Sequence, residues 1–113
     1  MSRLTRLFAA LALSMIAAGG AFAHALLLSF KIDGQDVVLH YNGRIDTERS
    51  RATLLHGDGS APAKLETAAG DDPATLKAHL GAVPAGSYIL RWEVLSVDGH
   101  ISRGDQPITI PAP

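Results

Sequence analysis

From Ala25 onward, turn-forming residues break the chain so often that no long helix fits between them. The breaks are Asp33-Gly34, Asn42-Gly43, Gly57-Asp58-Gly59, Gly70-Asp71-Asp72-Pro73 and Pro84-Ala85-Gly86. The runs between them alternate apolar and polar residues with the period of an extended strand. Val37, Leu39 and Tyr41 share one face. So do Leu76, Ala78 and Leu80, with Thr75, Lys77 and His79 on the other. Tyr88, Leu90, Trp92 and Val94 form the strongest set, opposite Arg91 and Glu93. Strands are expected at Ala25–Phe30, Val37–Tyr41, Ala52–His56, Lys64–Thr67, Thr75–Leu80, Ser87–Val97 and Gln106–Ile110. Thr75–Leu80 also fits a helix, being rich in Ala, Leu and Lys. Arg44–Arg51, a mixed-charge cluster, reads as a solvated loop. Seven such strands predict an all-β fold, an Ig-like seven-stranded Greek-key β-sandwich or barrel. Trp92 is its expected core aromatic.

The first 23 residues read differently. Arg3 and Arg6 form a positive start, Leu7–Ala18 an apolar stretch, and Ala21-Phe22-Ala23 a small-residue cleavage site. This is the pattern of a secretory signal peptide. The expected organisation is a leader at 1–23 and one domain at 24–113. Cleavage removes Arg3 and Arg6 and leaves acidic residues in excess, with no basic stripe to suggest nucleic acid. No apolar run of about 18 residues follows the leader, so no membrane span is expected after it. The chain has no cysteine, which excludes disulfides, thiolate metal sites and thiol chemistry and is compatible with a bacterial periplasm.

Cleavage after Ala23 makes His24 the first residue of the mature protein. A free N-terminal histidine offers two nitrogen donors, the α-amine and imidazole Nδ1, which can close a six-membered chelate on a metal ion. A second half-site lies in Ser96-Val97-Asp98-Gly99-His100. Extended backbone points Asp98 and His100 the same way, and Gly99 permits a sharp bend between them. Asp98 continues the parity of Trp92 and Val94, which predicts an inward-facing carboxylate. Three nitrogens and one oxygen suit a tetragonal Cu(II) centre, and Cu(II) heads the divalent affinity order. Zinc in tetrahedral form, or nickel, fits the same donors. Met1 and Met15 both lie in the leader, so the mature chain has no thioether for Cu(I). Asp98-Gly99 also fits a plain turn, with Asp98 accepting backbone N–H bonds.

These residues resemble the CopC family of periplasmic copper-binding proteins. The resemblance rests on the leader followed by His24-Ala25, on Val37-Val38-Leu39-His40-Tyr41, and on Gly86–His100, which follows the pattern G-x-Y-x-x-x-W-x-V-x-S-x-D-G-H, with Gly104 beyond it. It implies a seven-stranded Greek-key barrel or sandwich and one Cu(II) per chain held by His24, Asp98 and His100. It also implies copper binding, storage or handover without catalysis, beside a CopD-like inner-membrane partner. Two features differ from the family pattern. Ser29–Asp36 is shorter than the usual proline-containing segment, and the methionine-rich Cu(I) loop of some members is absent.

The expected function is thus periplasmic Cu(II) binding in copper homeostasis and resistance. One alternative is a small oxidative copper enzyme of the histidine-brace type, which shares the N-terminal histidine but needs a broad substrate face. Another is a protein-interaction module that binds no metal. His40 and His79 lie opposite the apolar sets and are expected in solvent. His56 is expected at the surface.

Overall fold

The computed structural model describes residues 25–112. Seven strands follow one another: β1 (Leu27–Asp33), β2 (Asp36–Tyr41), β3 (Ile45–His56), β4 (Ala63–Ala69), β5 (Thr75–His79), β6 (Gly86–Ser96) and β7 (Ile101–Ile110). Thr75–His79 is a strand, which settles the helical alternative. All neighbours are antiparallel, in the order β1-β2-β5-β4-β3-β6-β7. β3, β4 and β5 are consecutive neighbours, and β2 returns beside β5, which is the Greek-key arrangement.

The sheet curls into two layers because β4 changes partners along its length. Its first residues pair with β3 (Leu65 opposite Ala52), and its later ones with β5 (Glu66 opposite His79). Such a strand makes the corner of a sandwich. The alternating residues then meet inside. Val37, Leu39 and Tyr41 of β2, Leu76 and Ala78 of β5, Ala52 and Leu54 of β3, and Tyr88, Leu90, Trp92 and Val94 of β6 are all buried. Trp92 stands edge-on to Tyr41, ring centres 5.2 Å apart at 71°, a favoured aromatic geometry.

Three local readings change, and the Asp33-Gly34 turn forms as expected. Arg44–Arg51 is not a loop, because β3 begins at Ile45 and buries Ile45 and Ser50. The strand carries its charges by slipping register between Asp46 and Arg51. Ser50 fills the irregularity, donating its hydroxyl to the Asp46 carbonyl at 2.7 Å and accepting from the Leu95 N–H at 3.2 Å. β7 starts at Ile101 rather than Gln106; its early residues are polar, but Ser102, Gly104 and Gln106 alternate inward like Ile108. Thr75 is buried rather than solvated, since its hydroxyl is used by Asp72 and His40. The abbreviated Ser29–Asp36 segment forms a tight hairpin, with Asp33 opposite Asp36 and Gly34 at φ +62° supplying the left-handed turn residue.

Candidate metal centre

Asp98 and His100 come together as the spacing predicts, but through a turn instead of an extended strand. β6 stops at Ser96. The Ser96 N–H donates to the His100 carbonyl at 2.8 Å, and the Gly99 N–H donates to the Ser96 carbonyl at 2.9 Å. Gly99 sits at φ +93°, where a side chain would be strained. Asp98 then caps its own turn: Oδ1 accepts the His100 backbone N–H at 3.2 Å and lies 3.2 Å from His100 Nδ1. The expectation of an inward-facing Asp98 is therefore corrected. Strand parity ends with β6, and both side chains reach solvent, 39% exposed for Asp98 and 51% for His100. The His100 backbone N–H holds the Asp98 carboxyl below the usual carboxylate range; desolvation opposes it, and the His100 imidazole adds lesser lowering contributions. A carboxylate so held is an anion at neutral pH beside an imidazole, which is the electrostatics a cation needs.

His24 lies outside the described residues. Its two successors are tightly placed. Ala25 is buried in the core cluster. Leu26 donates its N–H to Asn42 Oδ1 at 2.9 Å, and its carbonyl accepts the Asn42 N–H at 2.9 Å. Asn42 thus clamps the start of the chain from both sides of one residue. Sequence reasoning treated Asn42 only as a turn former. The signal available was an amide side chain directly after a strand, where it can reach a neighbouring backbone.

The clamp and the hairpin occupy the same end of the sandwich. Leu27 pairs with Tyr41 at the finish of β2, and Ile45, at the start of β3, pairs with Ser96 at the finish of β6. The short Asn42–Arg44 link joins them. It is pinned by the neighbouring loop, since Tyr41 N–H donates to the Ala74 carbonyl at 2.8 Å and Ile45 N–H to that of Pro73 at 3.0 Å. Three buried hydroxyls, Tyr41 Oη, Ser96 Oγ and Ser102 Oγ, have no hydrogen-bond partner among the described residues. Burial pushes the Tyr41 phenol well above its ordinary pKa, so it stays protonated. Asp98 and His100 supply two donors. Among the described residues no group of three or more candidate metal ligands assembles.

The other histidines are placed differently. His40 is half-buried rather than fully solvated, with Nδ1 3.1 Å from Thr75 Oγ1. The Thr75 hydroxyl itself donates to Asp72 Oδ1 at 2.9 Å. His79 is exposed as expected and pairs with Asp36 at 2.8 Å. His56 is at the surface, its ring 5.5 Å from that of Tyr88.

Residues 31–110 match the CopC domain. The chain belongs to the CopC family. CopC from Methylosinus trichosporium OB3b shares the fold, with 24% identity, a TM-score of 0.64, and coverage of 76% of this chain and 92% of that one. PcoC from Escherichia coli, a methionine-rich copper resistance protein, matches with 24% identity, a TM-score of 0.66, and coverage of 79% and 100%. Comparison with curated proteins gives no match. In this CopC domain Gly104 has a clear structural duty. A Cβ there would lie 2.7 Å from Trp92 Cε2 and 3.0 Å from Nε1, so the indole occupies the space a side chain would take. Among the described residues no helix is long and apolar enough to cross a membrane.

Proposed function

We propose that this CopC protein is exported to the periplasm, cleaved after Ala23, and binds one Cu(II) ion through His24, Asp98 and His100. The single observation that supports this most is the pairing of Asp98 with His100 on a hairpin at the end where Asn42 clamps Leu26. The clamp holds the chain two residues past the proposed first amine, which limits the freedom that binding must remove. Asp98 Oδ1 lies 3.2 Å from His100 Nδ1, so the two proposed donors are already held side by side. The α-amine and imidazole of His24 complete a three-nitrogen, one-oxygen set suited to Cu(II).

The role that follows is binding and handover in copper homeostasis and resistance, with a CopD-like inner-membrane protein as the receiving partner and no turnover of the ion. The set lacks soft donors, so reduction to Cu(I) favours release. The test is a competition titration of Cu(II) with correctly processed protein at neutral pH and below about pH 6, where imidazole protonation competes with the metal. Asp98→Ala and His100→Ala should each weaken binding, and acid should weaken it in the parent. Affinity unchanged in both variants and flat with pH would remove these ligands from the proposal.

A further inference from the structure

The outer face of the β3–β6–β7 layer gathers arginines although the chain as a whole carries slightly more acid than base. Arg51, Arg91 and Arg103 line one groove of about 550 Å³, whose lining includes Trp92 and Gly104. Cross-strand register builds it in two rows. Arg51 and Arg103 stand on either side of Glu93, and Thr53 and Asp105 on either side of Arg91. Glu93 Oε2 lies 2.9 Å from Arg51 Nε, and Oε1 accepts from Arg103 Nε at 2.6 Å. Arg91 makes a two-pronged pair with Asp105 at 2.9 and 3.0 Å. The second row is neutral. The first has two cations on one carboxylate and so keeps one positive charge. The guanidiniums of Arg51 and Arg103 engage Glu93 through Nε, and the side chains are 66% and 70% exposed. Side chains this exposed can turn their remaining N–H groups to a second carboxylate, which would meet two forks at once.

We propose that this groove docks an acidic peptide segment of a partner protein, with one partner carboxylate seated between Arg51 and Arg103. The charge excess decides the class of partner. One net charge is too little to hold a nucleic-acid backbone. The large exposed apolar side chains, Leu26, Leu28, Phe30, Ile32, Val97 and Ile101, lie on or beside β1 and at the β6–β7 hairpin. The groove itself therefore has none to insert into a lipid surface. A peptide carboxylate matches both the charge and the shape. The groove follows β6 and β7 toward the Asp98–His100 turn. Glu93 lies three strand steps, roughly 10 Å, from the end of β6 at Ser96, and the turn begins just beyond, so a docked partner would sit near that end without covering it. This inference stands apart from the copper reading.

The indole of Trp92 faces the core on the other side of the sheet, so occupancy is read by isothermal titration calorimetry, which needs no reporter in the groove. The experiment titrates metal-free processed protein with a short glutamate-rich peptide, with inorganic phosphate as a parallel arm. The expected result is a saturable change that weakens several-fold between low and about 0.15 M salt. The Arg51→Gln/Arg103→Gln pair should weaken it about tenfold or more. Arg51→Lys/Arg103→Lys, which keeps the charge but loses the fork, should fall between. Lys31→Gln/Lys77→Gln, on the opposite layer, should leave it unchanged. Three results would overturn the proposal: no saturable signal, equal binding by the glutamine pair in a folded protein, or saturation by phosphate at the same concentration as peptide. The last would make this a small-anion site.

Discussion

Replacing Gly104 with alanine tests how Trp92 is seated. The added Cβ would fall within 2.7 Å of Trp92 Cε2 and closer still to Cζ2, well inside carbon–carbon contact. The ring cannot retreat, because its other side meets Tyr41 in a core whose neighbours Leu90 and Val94 are fully buried. Relief must come from β7, an edge strand held by β6 alone, which must shift outward by about 1 Å to restore ordinary carbon–carbon contact. Overpacking a core costs about 1–3 kcal/mol, and an edge that yields places the value near 2 kcal/mol. For a domain of this size that is a fall in Tm of roughly 10 °C. Urea unfolding followed by Trp92 fluorescence measures it, with the slope m expected to stay constant and the midpoint to fall. A stability change below about 0.5 kcal/mol, the range of ordinary surface substitutions, would show that the indole does not need the space at Gly104.

Asn42→Ala removes the side-chain acceptor for the Leu26 N–H. It should cost about 1 kcal/mol in urea unfolding and, through a looser chain start, weaken Cu(II) binding; unchanged copper affinity would show that the clamp does not position the site. Gly99→Ala has open space for its methyl group but a left-handed backbone. A loss of about 1 kcal/mol is expected in thermal unfolding, with the hairpin donors misplaced and copper affinity reduced. The carboxyls of Asp58, Asp72, Glu93, Asp98 and Asp105 are all held below their ordinary pKa values by hydrogen bonds and, in the case of Glu93 and Asp105, by arginines. They bind protons less readily folded than unfolded. Their contribution is therefore complete above the ordinary carboxylate range and is lost as pH falls below about 4. Unfolding free energy should be flat near neutrality and drop in acid, and Glu93→Gln should flatten part of that drop.

Most of the strand pattern was legible because burial acts on alternate residues. The two-residue period in Val37–Tyr41 and Tyr88–Val94 has one physical reading, a half-buried strand, and those residues are indeed the core. The start of β3 was hidden because its register slips between Asp46 and Arg51, which destroys the period at the place where charges cluster. The first half of β7 was hidden because it packs Ser102 and Gly104 inward, and Gly104 contributes space instead of apolar surface. The juxtaposition of Asp98 and His100 was legible from spacing, but its direction was not. The Ser96–His100 hydrogen bond closes a turn, and a turn cancels strand parity. Asn42 was legible only as a breaker, since its contact is made to Leu26, 16 residues earlier. Local pattern carries no information about such a partner.

Electron paramagnetic resonance of the Cu(II)-loaded protein tests the proposed coordination most directly, comparing chains that begin at His24 with chains carrying one extra residue before it. The extension blocks the amine chelate and leaves Asp98 and His100 in place. The chain starting at His24 should give a tetragonal spectrum with several coupled nitrogens, and the extended chain should lose nitrogen couplings and bind copper far more weakly. Identical spectra and affinities for the two would contradict an N-terminal copper site.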